Sequence, residues 1–218
     1  NAPAMPSAPA GQPDRTVALS WARMPEQPEP YQPLVDRILA EATVSGGRIL
    51  KIDHFLNHRI EPAFIFELAH ELAKRLSAFQ PNLILTAEAS GIAPALIVAQ
   101  VLSIPMVYAK KYSCDVEGPA ISRIVASPGR GAEVRLALSS RYVRSGHRVV
   151  VVDDFLSNGR TAAALVEMAR EAGAEVLGAG FIVEKRFNRG REYIAAMNVP
   201  IATLAQVEFV NEGRVCLT

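Results

Sequence analysis

From Pro33 onward the chain alternates between short apolar runs and longer stretches whose apolar positions recur every three or four residues. The first pattern is that of strands buried on both faces, the second that of amphipathic helices. Read in order, it predicts helices at about 34–43, 61–79, 91–102 and 160–172. It predicts strands at 48–52, 82–87, 105–110, 147–153 and 175–184, with extended segments at about 120–127 and 131–139 and a mixed region after residue 184. Pro62 stands at a helix start and Gly173 at a helix end, where backbone stereochemistry favours each. Leu83 to Thr86, Met106 to Ala109, Val149 to Val152 and Gly178 to Val183 are the candidates for central strands. Helices alternating with such strands indicate an α/β fold with a mostly parallel sheet and right-handed crossovers. Ligands of these sheets bind beyond the carboxyl ends of the strands. The loops that follow the strands are therefore the places to look for chemistry.

The stretch from Val149 to Ala163 is the most informative of these. A β-branched run ends in Asp153 and Asp154, then passes through Phe155, Leu156, Ser157, Asn158, Gly159 and Arg160 into a helix beginning near Thr161. A helix amino end offers unpaired N–H groups and a favourable dipole to an anion. Ser157, Asn158, Gly159 and Thr161 are small enough to let a phosphate reach the backbone. Two carboxylates cannot serve that phosphate, but they suit the hydroxyls of a ribose, or a magnesium ion bound directly or through water. An acid pair after a strand is also found as a plain strand-end cap. A second loop of small residues, Ala87-Glu88-Ala89-Ser90-Gly91, follows the strand at 82–87 and precedes another helix. Alone it reads more readily as an ordinary β-to-α turn with a serine cap; beside the first loop it supplies a second cluster of N–H groups, as suits a ligand with two phosphate groups. Lys110 and Lys111 end a third strand at the same predicted edge.

Composition narrows the field further. The chain has 218 residues, half of them hydrophobic, enough for one sizeable core. Its net charge of +1 argues against broad nucleic-acid binding, which shows as a basic surplus. Two cysteines, Cys114 and Cys216, are too few for a disulfide framework and lack metal-ligand spacing, which suggests a reducing, cytoplasmic setting. No apolar run approaches the ~20 residues that cross a bilayer, so no membrane partner is expected. Residues 1–33 hold eight of the fifteen prolines and no sustained apolar period, and they lack the charged start and apolar centre of a signal peptide. They read as an extended or disordered tail before a domain spanning 34–218, with Trp21 and Tyr31 as the groups able to pin it. His54 and His58 are four apart, but none of the four histidines has convincing ligand spacing, and no nucleophile, base and acid stand in a defensible relation.

The acid pair and its loop resemble the sugar-diphosphate motif of type I phosphoribosyltransferases. With Asp53-His54-Phe55-Leu56-Asn57-His58 and Glu88-Ala89-Ser90-Gly91-Ile92-Ala93-Pro94-Ala95, the likeness narrows to bacterial xanthine phosphoribosyltransferases and runs from about Pro33 to the C-terminus. The resemblance implies a twisted, mostly parallel sheet flanked by helices, with a small hood lobe from about 46–60 and 185–218 and a mobile loop at about 112–130. It implies transfer of a phosphoribosyl group from 5-phosphoribosyl 1-pyrophosphate to xanthine, giving xanthosine monophosphate and pyrophosphate, with Mg2+ bound mainly through the donor and water, and a homodimer. Ser157, Asn158, Gly159, Arg160 and Thr161 would take the 5′-phosphate, and Ala89, Ser90, Gly91 and Lys111 the pyrophosphate. Lys110 stands where the family usually has Arg. Asp153 and Asp154 would hold the ribose, and Leu50, Asn57 and Lys185 the purine, with Phe187 placed to stack on it. A lysine can only donate, so Lys185 would select an oxo group and disfavour adenine. Guanine or hypoxanthine as acceptor, and a non-catalytic regulator sensing the sugar donor, are the alternatives. The regulator would need a DNA-binding module that neither the proline-rich stretch nor the charge supports.

Overall fold

The computed structural model describes residues 29–45, 49–111, 118–126, 133–211 and 214–217. Residues 1–28 of the predicted tail, and residues 112–117 and 127–130 of the predicted mobile loop, lie outside the described residues. The order of elements is α1 (Gln32–Glu41), β1 (Thr43–Ser45), β2 (Ile49–Lys51), α2 (Pro62–Ser77), β3 (Leu83–Ala87), α3 (Ile92–Leu102), β4 (Met106–Lys111), β5 (Ala120–Ala126), β6 (Glu133–Ser139), β7 (Arg148–Leu156), α4 (Arg160–Glu171), β8 (Glu175–Lys185), α5 (Gly190–Ala195), β9 (Ile201–Asn211) and β10 (Arg214–Leu217). A 3-10 turn, Arg186–Asn188, joins β8 to α5.

Eight strands form one sheet in the order β10-β9-β8-β7-β3-β4-β6-β5. The five in the middle, β9, β8, β7, β3 and β4, are parallel, and both flanks are antiparallel. Strand β7 shows why. Its even residues Val150 and Val152 face a core made with α1, α2 and α3, including Ile38, Leu68, Leu72, Val98 and Leu204. Its odd residues Val149 and Val151 face a second core with Leu165, Met168 and Ala169 of α4, and with Phe181 and Ile194. A strand with period-2 side chains and helices on both faces must be apolar throughout.

Three differences from the sequence reading have physical causes. Helix α1 begins at Gln32 rather than 34, because Pro33 fits the first helical turn, where no N–H is needed. Tyr31 just before it is anchored: its amide donates to the Leu204 carbonyl at 2.7 Å and its hydroxyl to Glu67 at 2.6 Å. The strand at 48–52 is paired with the three-residue β1 as a separate two-stranded sheet. The mixed region after 184 contains an eleven-residue strand, β9, whose Ile201 to Val207 run parallel to β8 inside the main sheet. Buried Thr203 and Gln206 interrupt its apolar pattern and hide it from periodicity. Within the stretch 112–130, Ala120 to Ala126 pair with β6 as one arm of an antiparallel hairpin.

The parallel register brings the carboxyl ends of β3, β4, β7 and β8 to one edge of the sheet. Residues 88–91, Lys111, 157–161 and 185–191 are neighbours there, although 97 positions separate Glu88 from Lys185.

Candidate active site

A cleft at that edge is lined by Glu88, Ser90, Lys111, Asp153, Asp154, Ser157, Asn158, Gly159 and Thr161, with Ala87, Phe155, Leu156 and Ala162 as its apolar walls. The acid pair lies between the two loops. Asp154 is buried, and its carboxylate accepts a hydrogen bond from Asn57 Nδ2 at 2.9 Å and another from Ser90 Oγ at 3.1 Å. One carboxylate thus joins the 53–58 segment to the 88–91 loop. The Asp154 amide donates to Asp153 Oδ1 at 2.9 Å.

Burial pushes the Asp153 carboxyl well above the usual carboxylate range, and the negative charge of Asp154 adds to it; the cation of Lys111 opposes both. Burial therefore favours the protonated acid at Asp153 in the free protein, and a positive partner nearby would favour the ionised form. A raised carboxyl stabilises the fold fully below its unfolded value, near pH 4, and loses that contribution as pH climbs through its folded value. Asp153→Asn keeps the acceptor for the Asp154 amide and removes the ionisation. We expect it to melt higher than the parent at pH 7, with the gap narrowing toward pH 4, and to turn over more slowly; equal melting offsets at both pH values in a thermal scan would contradict this.

The 157–161 loop is built to take an anion. Gly159 caps α4 with a left-handed backbone (φ +75°), which turns the chain from strand to helix without a side-chain clash. The Asn158 side chain accepts from the Arg160 amide at 3.1 Å, so that N–H is used internally. The amides of Gly159, Thr161 and Ala162 have no backbone acceptor among the described residues, as befits the first turn of a helix. Arg160 itself is exposed on that turn. The loop rests on Gly190: a Cβ there would lie 2.2 Å from the Ser157 carbonyl oxygen and 2.9 Å from the Gly159 nitrogen. No larger residue permits that approach.

In the 88–91 loop, Ser90 reaches the cleft, while Ala89 and Gly91 do not line it with side chains. Gly91 packs its Cα against the Thr86 hydroxyl and the Asp153 carboxylate. Lys111 ends β4 in the cleft wall, and its amide donates to Glu88. Lys110 pairs in register with Ala137 of β6 and does not line the cleft.

The groups expected to meet a base are distributed unevenly. Lys185 ends β8 with its ammonium 4.3 Å from the centre of the Phe155 ring. Burial lowers its pKa, and the charges of Asp154 and Asp53 work against that lowering. Asn57 reaches Asp154. Leu50 of β2 is packed in the core, and Phe187 sits on the 3-10 turn with 40% of its surface exposed. His54 lies against Glu41 at 3.2 Å on the protein's surface.

Four contributors escaped sequence reasoning: Glu88, Glu184, Asn188 and Arg191. Glu184 is almost wholly buried, and Arg191 binds both its oxygens through Nε, at 2.9 and 3.0 Å, and through Nη2. That pair fastens the start of α5 beside the phosphate-type loop. An Asn-Arg-Gly turn signal at 188–190 was the one local hint of it.

A phosphoribosyl transferase domain matches residues 56–212, a span that includes both loops, the acid pair and Lys185. This chain belongs to the phosphoribosyltransferase family. Among curated relatives, xanthine phosphoribosyltransferase of Chloroflexus aurantiacus is 53% identical over 85% of this chain and 88% of its own length. That of Deinococcus deserti is 43% identical over 83% and 94%. Among solved structures, adenine phosphoribosyltransferase from Thermoanaerobacter pseudethanolicus aligns with a TM-score of 0.59 at 28% identity over 66% of this chain and 81% of that one. The enzyme of the same name from Rhodothermus marinus aligns at 0.66 and 19% identity over 81% and 99%, a likeness of fold alone. The mostly parallel sheet with its site at the carboxyl edge is thus the type I phosphoribosyltransferase fold.

Proposed function

We propose that this phosphoribosyltransferase works in purine salvage, converting xanthine and 5-phosphoribosyl 1-pyrophosphate to xanthosine monophosphate and pyrophosphate. The observation that carries the reading is the juxtaposition in one cleft of an amide-rich helix start, an acid pair of which Asp154 is buried, and a second small-residue loop with Lys111. The curated relatives named above add the acceptor. The amides of Gly159, Thr161 and Ala162 hold the 5′-phosphate at the helix amino end. Asp154 and Asp153 take the ribose hydroxyls and favour positive charge growing on the sugar. The 89–91 loop and Lys111 face the departing pyrophosphate and offset its charge. The purine, held in register between Asn57, Lys185 and Leu50, with Phe187 at its edge, attacks the anomeric carbon through N9 as the carbon–oxygen bond to pyrophosphate breaks, and the proton on that nitrogen leaves to water or to the released pyrophosphate. Placement accounts for much of the rate, several kcal/mol by proximity in general. No covalent enzyme intermediate is required.

Phosphoribosyltransferases generally use Mg2+ with their sugar donor. The donor set here fits: two adjacent carboxylates offer hard oxygen ligands, and the strained Asp153 ionisation gains from a cation nearby. Among the described residues no group of three or more His, Cys, Asp or Glu side chains could hold a metal by itself. Asp153 and Asp154 would hold the ion, through water, against the donor. When bound it supplies charge neutralisation for the leaving group.

Lys185 bears on the choice of base. An ammonium donates only, so an oxo group is accepted and the amino group of adenine is not. A cytoplasmic homodimer is part of the same reading, by analogy with the family; no helix among the described residues is long and apolar enough to cross a membrane. Steady-state kinetics with xanthine, guanine, hypoxanthine and adenine, with and without magnesium, test the assignment. Xanthine should give the highest kcat/KM; guanine or hypoxanthine above it would transfer the assignment to those bases, and no turnover with any purine would remove it.

A further inference from the structure

We propose that Asn188 is a positioning residue for the sugar donor, acting through the Ser157 hydroxyl; this rests on the reading of the 157–161 loop as the 5′-phosphate site. Asn188 Nδ2 donates to Ser157 Oγ at 2.8 Å. A serine hydroxyl has one proton and two lone pairs. With a lone pair engaged by the amide, its proton is free to point along the cleft, where Ser157 is a lining residue beside the free amides of Gly159 and Thr161. Asn188 thus sets Ser157 as a donor, the polarity an anion needs, and it polarises the O–H toward stronger donation.

The placement of Asn188 is not incidental. It lies between two anchors of the 185–191 stretch. On one side is Lys185 over the Phe155 ring. On the other is Gly190, pressed onto the Ser157 carbonyl and the Gly159 nitrogen. The buried Glu184 carboxylate, gripped by Arg191 and with Arg186 at 3.7 Å, fixes both ends of the stretch. Losing one partner of such a buried pair leaves an uncompensated charge, so the stretch is held in one arrangement. The strand that ends on the base-facing lysine therefore continues directly into the group that orients the phosphate loop, and the two halves of the substrate are read by one continuous segment.

Asn188 is exposed, so truncating it should leave the fold intact. In steady-state kinetics Asn188→Ala should raise KM for 5-phosphoribosyl 1-pyrophosphate about three- to tenfold, the worth of one hydrogen bond. Turnover number and KM for xanthine should move less than twofold, a split that a general loosening of the fold would not give. Ser157→Ala should show a similar loss. The double variant should be no worse than Ser157→Ala alone, because Asn188 acts only through that hydroxyl. Asn188→Asp should be several-fold worse than Asn188→Ala, since its carboxylate would accept the Ser157 proton and repel the phosphate. An unchanged donor KM in Asn188→Ala, or losses that multiply in the double variant, would overturn the proposal. A parent enzyme that turns over no purine with this donor would instead overturn the site reading beneath it.

Discussion

Asp154→Ala should lower kcat/KM for xanthine about 10³-fold. The side chain is buried, and both carboxylate oxygens are engaged, one by Asn57 Nδ2 at 2.9 Å and the other by Ser90 Oγ at 3.1 Å. Two consequences follow from its loss. The substrate's diol loses a charged acceptor, and the Asn57 amide and Ser90 hydroxyl lose the group that holds them toward each other across the cleft. Hydrogen bonds to charged groups contribute roughly 1.5–3 kcal/mol each, and each 1.4 kcal/mol of transition-state stabilisation is about tenfold in rate. Two such interactions give about 4 kcal/mol, hence the factor. The loss should fall mainly on kcat, because positive charge on the ribose grows as pyrophosphate leaves. Asp154→Asn should keep the two loops together better than alanine does, because its amide oxygen can accept from Asn57 Nδ2 while its NH2 donates to Ser90 Oγ, but it lacks the charge and should still lose most of kcat. A loss below tenfold with an intact fold, checked by thermal melting, would mean that the carboxylate is a structural tie and not part of the chemistry.

Lys185→Met should act on the other half of the substrate. Methionine keeps most of the side chain's length and bulk, and it removes the ammonium that lies over the Phe155 ring at the end of β8. A base-recognising charged hydrogen bond, removed from a partly desolvated position, amounts to about 100-fold in kcat/KM. The effect should appear chiefly in KM for xanthine and leave the donor KM within about threefold. Adenine, which has no oxo group for the lysine to meet, should be used no worse by the variant than by the parent. If every purine suffered equally, Lys185 would be serving the fold, or balancing Asp53 and Asp154, instead of choosing the base.

Much of this cleft is readable along the chain because its parts are local. Val149 to Val152 announce a strand covered on both faces, and the structure divides them alternately between two cores. The small residues that follow announce a strand-to-helix turn, and α4 begins at Arg160 as the spacing predicts. The parts that were not readable are relations between distant positions. Asn57 meets Asp154 across 97 residues and Asn188 meets Ser157 across 31, and neither pairing leaves a periodic trace. Strand β9 was hidden for a different reason. Thr203 and Gln206 are polar yet buried, and periodicity cannot separate a polar residue enclosed in a sheet from one facing water. Strand β2 was expected at 48–52 and is found at Ile49–Lys51, whereas its three-residue partner β1 lies below the length at which alternation carries information. Sequence therefore indicated where the anion-type loop and the acid pair would be, and the packing shows what holds them together.

The central claim is that the cleft edge at 153–161 grips a phosphoribosyl group. The most direct test is a crystal structure with xanthosine monophosphate and magnesium bound. The account predicts the 5′-phosphate within hydrogen-bond distance of the Gly159 and Thr161 amides and the Ser157 hydroxyl, the ribose hydroxyls on Asp153 and Asp154, and the base beside Lys185. A nucleotide bound elsewhere, or one whose phosphate avoids the amino end of α4, would contradict it.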